Sequence, residues 1–152
     1  MIIVAGATGD LGGRIVRELA GLGAPVAALV RTESSARHLE GMASQVRYAD
    51  FDDVDSIARA LKGVHCVVSA LSGLEPVILG AQGRLLDAAV KAGVPRFIPS
   101  DYAIDFRQVP QGSNRNLNLR SAFLQRAESS GLRLTSVLNG AFMDMLTGTI
   151  PI

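Results

Sequence analysis

Four apolar residues with strand character, Ile2, Ile3, Val4 and Ala5, run directly into Gly6, Gly9 and Gly12. From Leu11 onward apolar residues recur at helical spacing, through Ile15, Val16, Leu19 and Leu22. The stretch from Met1 to Leu19 therefore reads as strand, glycine turn, helix. A glycine at the end of a buried parallel strand lets the chain reverse with a positive φ. Further glycines in the loop let a phosphate approach the backbone with no Cβ in the way. The following helix turns its unpaired N–H groups and positive dipole end toward that phosphate.

The spacing is Gly-x-x-Gly-x-x-Gly, one residue longer at its start than the Gly-x-Gly-x-x-Gly dinucleotide fingerprint. Strand before and helix after supply the context that such a fingerprint demands. A purely structural turn would use the same residue type, and glycine is abundant here at 16 residues.

The rest of the chain repeats the alternation. Pro25–Val30 reads as a buried strand ending at Arg31, and Thr32 can cap a short helix beginning near Glu33. Val46–Ala49 is a third strand, followed by Asp50, Phe51, Asp52 and Asp53, then a helix with Val54, Ile57, Ala58 and Leu61 on one face. Val64–Ala70 is a near-continuous apolar run, as expected of a strand covered on both faces. Val77–Ala92 is a long helix stopped by Gly93 and Pro95. Arg96–Pro99 makes a fifth strand, Arg107–Asn118 a polar loop, Leu119–Ser130 a helix and Leu132–Leu138 a sixth strand. Strands alternating with helices, without tight hairpin signals, predict an α/β fold: a doubly wound parallel sheet of order 3-2-1-4-5-6.

Composition bounds the partners. A chain of 152 residues with 48% hydrophobic and 19% charged residues is core-rich and fits one domain. Its formal net charge of +1 calls for neither nucleic acid nor an anionic membrane surface. The opening apolar run is too short for a membrane span and lacks the basic flank of a signal peptide. The single cysteine, Cys66, cannot form an internal disulfide, which fits a reducing cytoplasm. Cys66 among apolar neighbours is expected to be an inert buried thiol. His65 beside it is expected to be a packed or hydrogen-bonded strand residue, and His38 a helix-surface one. Asp50, Asp52, Asp53 and Asp55 lack the loop glycine and closing Glu of a calcium hand, and read as a solvated helix start. No Cys/His spacing suits zinc. The donors of Asn114, Arg115 and Asn116 suit an anionic or carbonyl ligand, or simply a loop tip.

The stretches GATGDLGGRIVREL, ALVR at 28–31 and QGRLLDAAVKAGVPRFIPSDY at 82–102 together resemble the atypical short-chain dehydrogenase/reductase group, most closely its NmrA-like and isoflavone-reductase-like branch. The likeness spans essentially the whole chain. It implies a Rossmann domain that binds NADP or NAD, followed in family members by a smaller substrate lobe that is not in this sequence. The apolar, unpatterned end Asn139–Ile152 agrees, and predicts that residues 1–152 are the N-terminal part of a longer protein. An uncovered sheet edge and apolar tail also predict self-association.

By position, the resemblance places the cofactor pyrophosphate on the backbone around Gly6, Thr8, Gly9, Asp10, Leu11 and Gly12. It places Arg31 where the cofactor is selected. A guanidinium there suits a 2′-phosphate, whereas a carboxylate would suit the free ribose of NAD, so Arg31 leans toward NADP. Asp50 and Phe51 fall where family members contact adenine, with Asp50 equally able to cap the next helix. Ala70 and Leu71 fall on the nicotinamide side.

Two departures bear on catalysis. The Tyr-x-x-x-Lys pair is missing, since Tyr48 is followed four residues on by Asp52 and Tyr102 by Phe106. The lysine that isoflavone-type reductases use as a base falls on Arg120, and arginine stays protonated in proteins. Proton delivery would then pass to Tyr102, or to Asp101 through water. Two functions remain open at this point: an NADPH-dependent oxidoreductase acting on a small carbonyl, enone or quinone-like substrate, and a non-catalytic dinucleotide sensor that binds a protein partner.

Overall fold

The computed structural model describes residues 1–32, 39, 41 and 43–142. The short helix expected after Thr32, His38 and most of the apolar C-terminal tail lie outside the described residues.

Six parallel strands form one sheet in the order β3-β2-β1-β4-β5-β6, as the alternation predicts. The strands are β1 (Ile2–Ala5), β2 (Val26–Val30), β3 (Gln45–Tyr48), β4 (Cys66–Ser69), β5 (Arg96–Ile98) and β6 (Arg133–Leu134). The helices are α1 (Asp10–Gly21), α2 (Val54–Ala60), α3 (Gln82–Lys91) and α4 (Arg115–Glu128). Strand β1 sits at the centre, paired with β2 on one side and β4 on the other.

Side-chain alternation divides the core into two layers. Ile3, Ala5, Ala27, Leu29, Val67 and Phe97 face α2, α3 and α4, meeting Ile57, Leu86 and Phe123. Val4, Val26, Ala28, Val30 and Val68 face the other way, toward Val16 of α1. Every residue of β2 is buried, which is why VAALV carries no alternation of polarity. Phe97 and Phe123 meet at 6.2 Å between ring centroids and dock α4 on the sheet.

Several boundaries differ from the sequence reading. Helix α4 starts at Arg115, not Leu119, because Asn114 Oδ1 accepts from the amides of Asn116 and Leu117 and caps it. Its first turn is polar and solvated, so no apolar period marks it. The expected polar loop also contains part of a 3₁₀ turn, Phe106–Gln108, capped by the Asp105 carboxylate. The helix expected from Val77 begins instead as a π-helical turn, Pro76–Ala81, that runs straight into α3. Strand β6 has two residues where seven were expected. Its neighbour β5 ends at Ile98, ahead of Pro99, which has no N–H to extend the ladder, and the chain beyond Thr135 turns Ser136 toward Asp101.

Among the described residues, no helix is long and apolar enough to cross a membrane.

Candidate functional site

The carboxyl ends of the central strands open into a cleft of about 380 Å³, within the range of small-molecule sites. Its lining includes Gly6, Thr8 and Gly9 from the first loop, Arg31 after β2, Phe51 after β3, and Ala70 and Leu71 after β4. Seven of the expected cofactor residues therefore share one space. It lies where the strand order reverses about β1, the crevice in which doubly wound sheets hold their ligands.

Steric fit explains the glycines. Gly6 has φ +81°, and a Cβ there would stand 2.6 Å from the carbonyl oxygen of Ala70. A Cβ on Gly12 would strike the carbonyl oxygen of Gly6 itself. The loop is thus wound tightly against α1, with the Gly9 amide donating to Gly6 and the Gly13 amide to Gly9. Gly9 caps α1 without a side-chain hydrogen bond. The first-turn amides of a 12-residue helix accordingly stay available to an outside acceptor such as a diphosphate.

The other expected residues sit beside the cleft, not in its lining. Gly12 is buried under the loop and acts through packing. Leu11 is half-buried in the first turn of α1. Asp10 is exposed and paired with Arg14 at 3.1 Å, and adjoins a second depression lined by Thr8, Gly13 and Arg17. Asp50 does not cap α2: Asp53 does, accepting from the Asp55 amide at 2.8 Å. Asp50 instead accepts from the Asp52 amide at 2.9 Å and shapes the turn that presents Phe51.

The remaining acids of that run are likewise engaged. Asp52 pairs with Arg84 at 2.7 Å and Asp55 with Lys91 at 2.5 Å, the latter contact holding the Asp55 carboxyl below its ordinary value.

Sequence reasoning missed Ser72, Val77 and Ala81, which complete the wall on the β4 side. Val77 and Ala81 belong to the π-helical turn, a feature with no signature in the pattern of apolar residues. The support behind this wall was also missed. The Ser100 amide donates to Oε1 of the fully buried Gln82, and the Ser100 hydroxyl donates to the Leu71 carbonyl.

The two expected catalytic residues lie off the cleft lining. Tyr102 is half-buried, and burial, reinforced by the charges of Asp101 and Cys66, pushes its phenol up to about 12. Cys66 stands at the opposite end of β4 from the cleft. Arg120, on α4, donates to the Asn116 carbonyl at 3.2 Å, while its Nε has no partner among the described residues.

Next to these stands Asp101, fully buried, accepting from the Ser136 hydroxyl at 2.5 Å through Oδ2 and lacking a partner on Oδ1 among the described residues. Burial raises its carboxyl above the ordinary 3.8, against the pull of Ser136 and the positive charge of Arg120.

Cys66 is half-buried, with its thiol raised by burial, which makes it a poor nucleophile. His65 precedes the strand and is exposed, its ring in contact with the N-terminal amine at 2.9 Å. Asn114 spends its side-chain oxygen on the cap of α4, not on a ligand.

Known proteins share both the sequence and the fold. The chain is 36% identical over 115 residues to a bifunctional pinoresinol-lariciresinol reductase of Thuja plicata, covering 68% of this chain and 36% of that protein. It is 32% identical over 146 residues to an NAD(P)H azoreductase of Xenophilus azovorans, covering 96% and 50%. It superposes on AtPrR2, solved with NADP+ and (+)pinoresinol, with a TM-score of 0.85 at 25% identity, covering 97% of this chain and 52% of that one. It also superposes on the NADPH-dependent quinone oxidoreductase QOR2 of Escherichia coli, solved with NADPH, with a TM-score of 0.81 at 26% identity, covering 95% and 50%. The chain spans about a third to a half of the length of these curated relatives. A glycine loop wound on the N-terminus of α1, a doubly wound sheet and these likenesses converge: the chain belongs to the NmrA-like family, whose family model matches residues 1–152.

Proposed function

We propose that this chain is the cofactor-binding part of an NADPH-dependent oxidoreductase that reduces a small carbonyl, enone or quinone-like molecule. One observation carries the reading most: Arg31 lines the same cleft as the glycine loop, with Phe51 and Leu71 on its walls. Structures of related proteins with NADP+ or NADPH support it.

In this reading the amides at the start of α1 hold the diphosphate, and Gly6 and Gly9 let it approach the backbone. The Arg31 guanidinium, set one residue beyond β2 in the cleft lining, would hold the 2′-phosphate. Phe51, in the cleft lining, would border the adenine. Ala70, Leu71 and Ser72 would border the nicotinamide end, with Leu71 held from behind by the Ser100 hydroxyl.

When bound, the nicotinamide would supply the hydride. The protein must therefore place an electrophilic substrate and provide a proton. Arg120 would polarise or anchor a substrate oxygen through its guanidinium, and takes no part as a base. Asp101, whose carboxyl is raised by burial and feels the charge of Arg120, and the adjoining Tyr102, whose phenol is pushed up to about 12, are the titratable groups through which the proton would pass.

The test follows NADPH absorbance while the protein is incubated with a panel of quinones, enones and aldehydes. Oxidation dependent on at least one of these supports the reading. Tight NADPH binding with no oxidation of any of them would favour a dinucleotide sensor instead.

A further inference from the structure

We propose that Arg84 is a positioning residue for the adenosine half of the cofactor, acting through Phe51. The inference rests on the reading of the cleft as a dinucleotide site.

The sheet order assigns the two ends of the cleft. Strands β2 and β3 lie on one side of β1 and contribute Arg31 and Phe51, whereas β4 lies on the other and contributes Ala70, Leu71 and Ser72. With the diphosphate on the loop after β1, the phosphorylated adenosine falls on the β2/β3 side. Phe51 is therefore the wall of the adenosine end.

Phe51 stands in a turn, and its position depends on what holds that turn. Arg84 donates from Nε to the Phe51 carbonyl at 2.6 Å and from Nη2 to the Asp52 carboxylate at 2.7 Å. The two donors grip successive residues of one turn, a forked geometry that a guanidinium provides and a lysine does not. The Asp52 amide is in turn fastened to Asp50 Oδ1 at 2.9 Å, so the turn is tied from both sides.

Arg84 belongs to α3, the continuation of the π-helical turn whose Val77 and Ala81 line the opposite wall of the cleft. One side chain thereby fixes the spacing between the two walls. Its own side chain is 34% exposed and is not part of the cleft lining, so it acts through Phe51.

Separating the cofactor into halves tests this. The dissociation constants of 2′,5′-ADP and of reduced nicotinamide mononucleotide are measured by calorimetry on the parent chain, Arg84→Ala, Arg84→Lys and Asp52→Asn. The inference predicts that Arg84→Ala weakens 2′,5′-ADP about tenfold, the order expected for losing a charged brace. Reduced mononucleotide should change by less than about twofold. Arg84→Lys should recover part of the loss, and Asp52→Asn, which leaves the bond to the Phe51 carbonyl, should fall between parent and Arg84→Ala.

Unchanged 2′,5′-ADP affinity in Arg84→Ala, or an equal loss for both halves, overturns the role of Arg84 while leaving the cofactor site standing. Should Arg84→Ala fail to fold, Asp52→Asn carries the same comparison, and no selective loss there overturns the inference. Failure of the parent chain to bind either half would overturn the reading of the cleft itself.

Discussion

The Ser100 hydroxyl donates to the Leu71 carbonyl oxygen at 2.7 Å and thereby ties the end of β5 to the wall of the cleft that follows β4. Gln82 completes the tie by accepting from the Ser100 amide at 2.9 Å, inside the protein. Replacing Gln82 with Leu leaves that buried N–H unpaired and should cost about 1–3 kcal/mol, while Ser100→Ala should cost about 1 kcal/mol. Gln82→Glu keeps an acceptor but buries an unpaired carboxylate, so it should lose at least as much as Gln82→Leu at neutral pH. Urea unfolding of the three variants checks the ranking, and equal stabilities would show that the tie carries no weight.

Packing of the first loop predicts a sharp contrast between neighbouring glycines. A methyl on Gly12 meets backbone atoms of Gly6 and Ala7, which cannot step aside, whereas one on Gly13 comes no nearer than 3.4 Å to the Ala7 carbonyl. Gly12→Ala should lose about 2–3 kcal/mol, typical of overpacking against fixed atoms, and should weaken nucleotide binding. Gly13→Ala should be near neutral, or slightly stabilising through helix propensity. Thermal melts would show a drop of several degrees for the first and little change for the second.

Arg31 sits in the cleft lining, where its charge can meet a 2′-phosphate. Arg31→Ala should weaken NADPH about 10- to 100-fold, corresponding to roughly 1.5–3 kcal/mol for charge-assisted hydrogen bonds. NADH, with no phosphate there, should lose little. Equal losses for both nucleotides would remove Arg31 from the phosphate site.

The buried carboxyl of Asp101 gives stability a pH dependence whose sign follows from the raised value. Its native form holds the proton more tightly than the unfolded chain does, so the contribution is fully present below about pH 3.8 and is lost as pH rises through the raised folded value. Asp101→Asn keeps a hydrogen-bond partner for Ser136 and removes this slope. The stability of the variant relative to the parent should therefore rise with pH across the acid range, as read by urea unfolding at a series of pH values. Parallel curves would contradict the assignment.

Much of this was legible in the chain. The run IIVA before the glycines and VAALV before Arg31 define central strands by their unbroken apolarity, and the crossovers between them leave one sheet order. Gly6, Gly9, Arg31, Phe51 and Leu71 converge because each follows a strand whose carboxyl end meets the same crevice.

What stayed hidden was tertiary or polar. The first turn of α4 is solvated and announced only by Asn114, a cap readable as a loop residue. Asp50 and Asp53 are chemically alike, and only the backbone decides which one caps α2. Gln82 and Arg84 look like ordinary helix residues, since their partners, Ser100 and Phe51, are distant in sequence. The early end of β6 follows from Pro99 just past the neighbouring strand, not from its own residues.

The opening loop and Arg31 together should hold a phosphorylated dinucleotide. Isothermal titration of the chain with NADPH and, separately, with NADH measures this. The account predicts saturable binding of NADPH at one site, tighter than that of NADH by the contribution of the 2′-phosphate. Absence of binding for both nucleotides, or a preference for NADH, would contradict it.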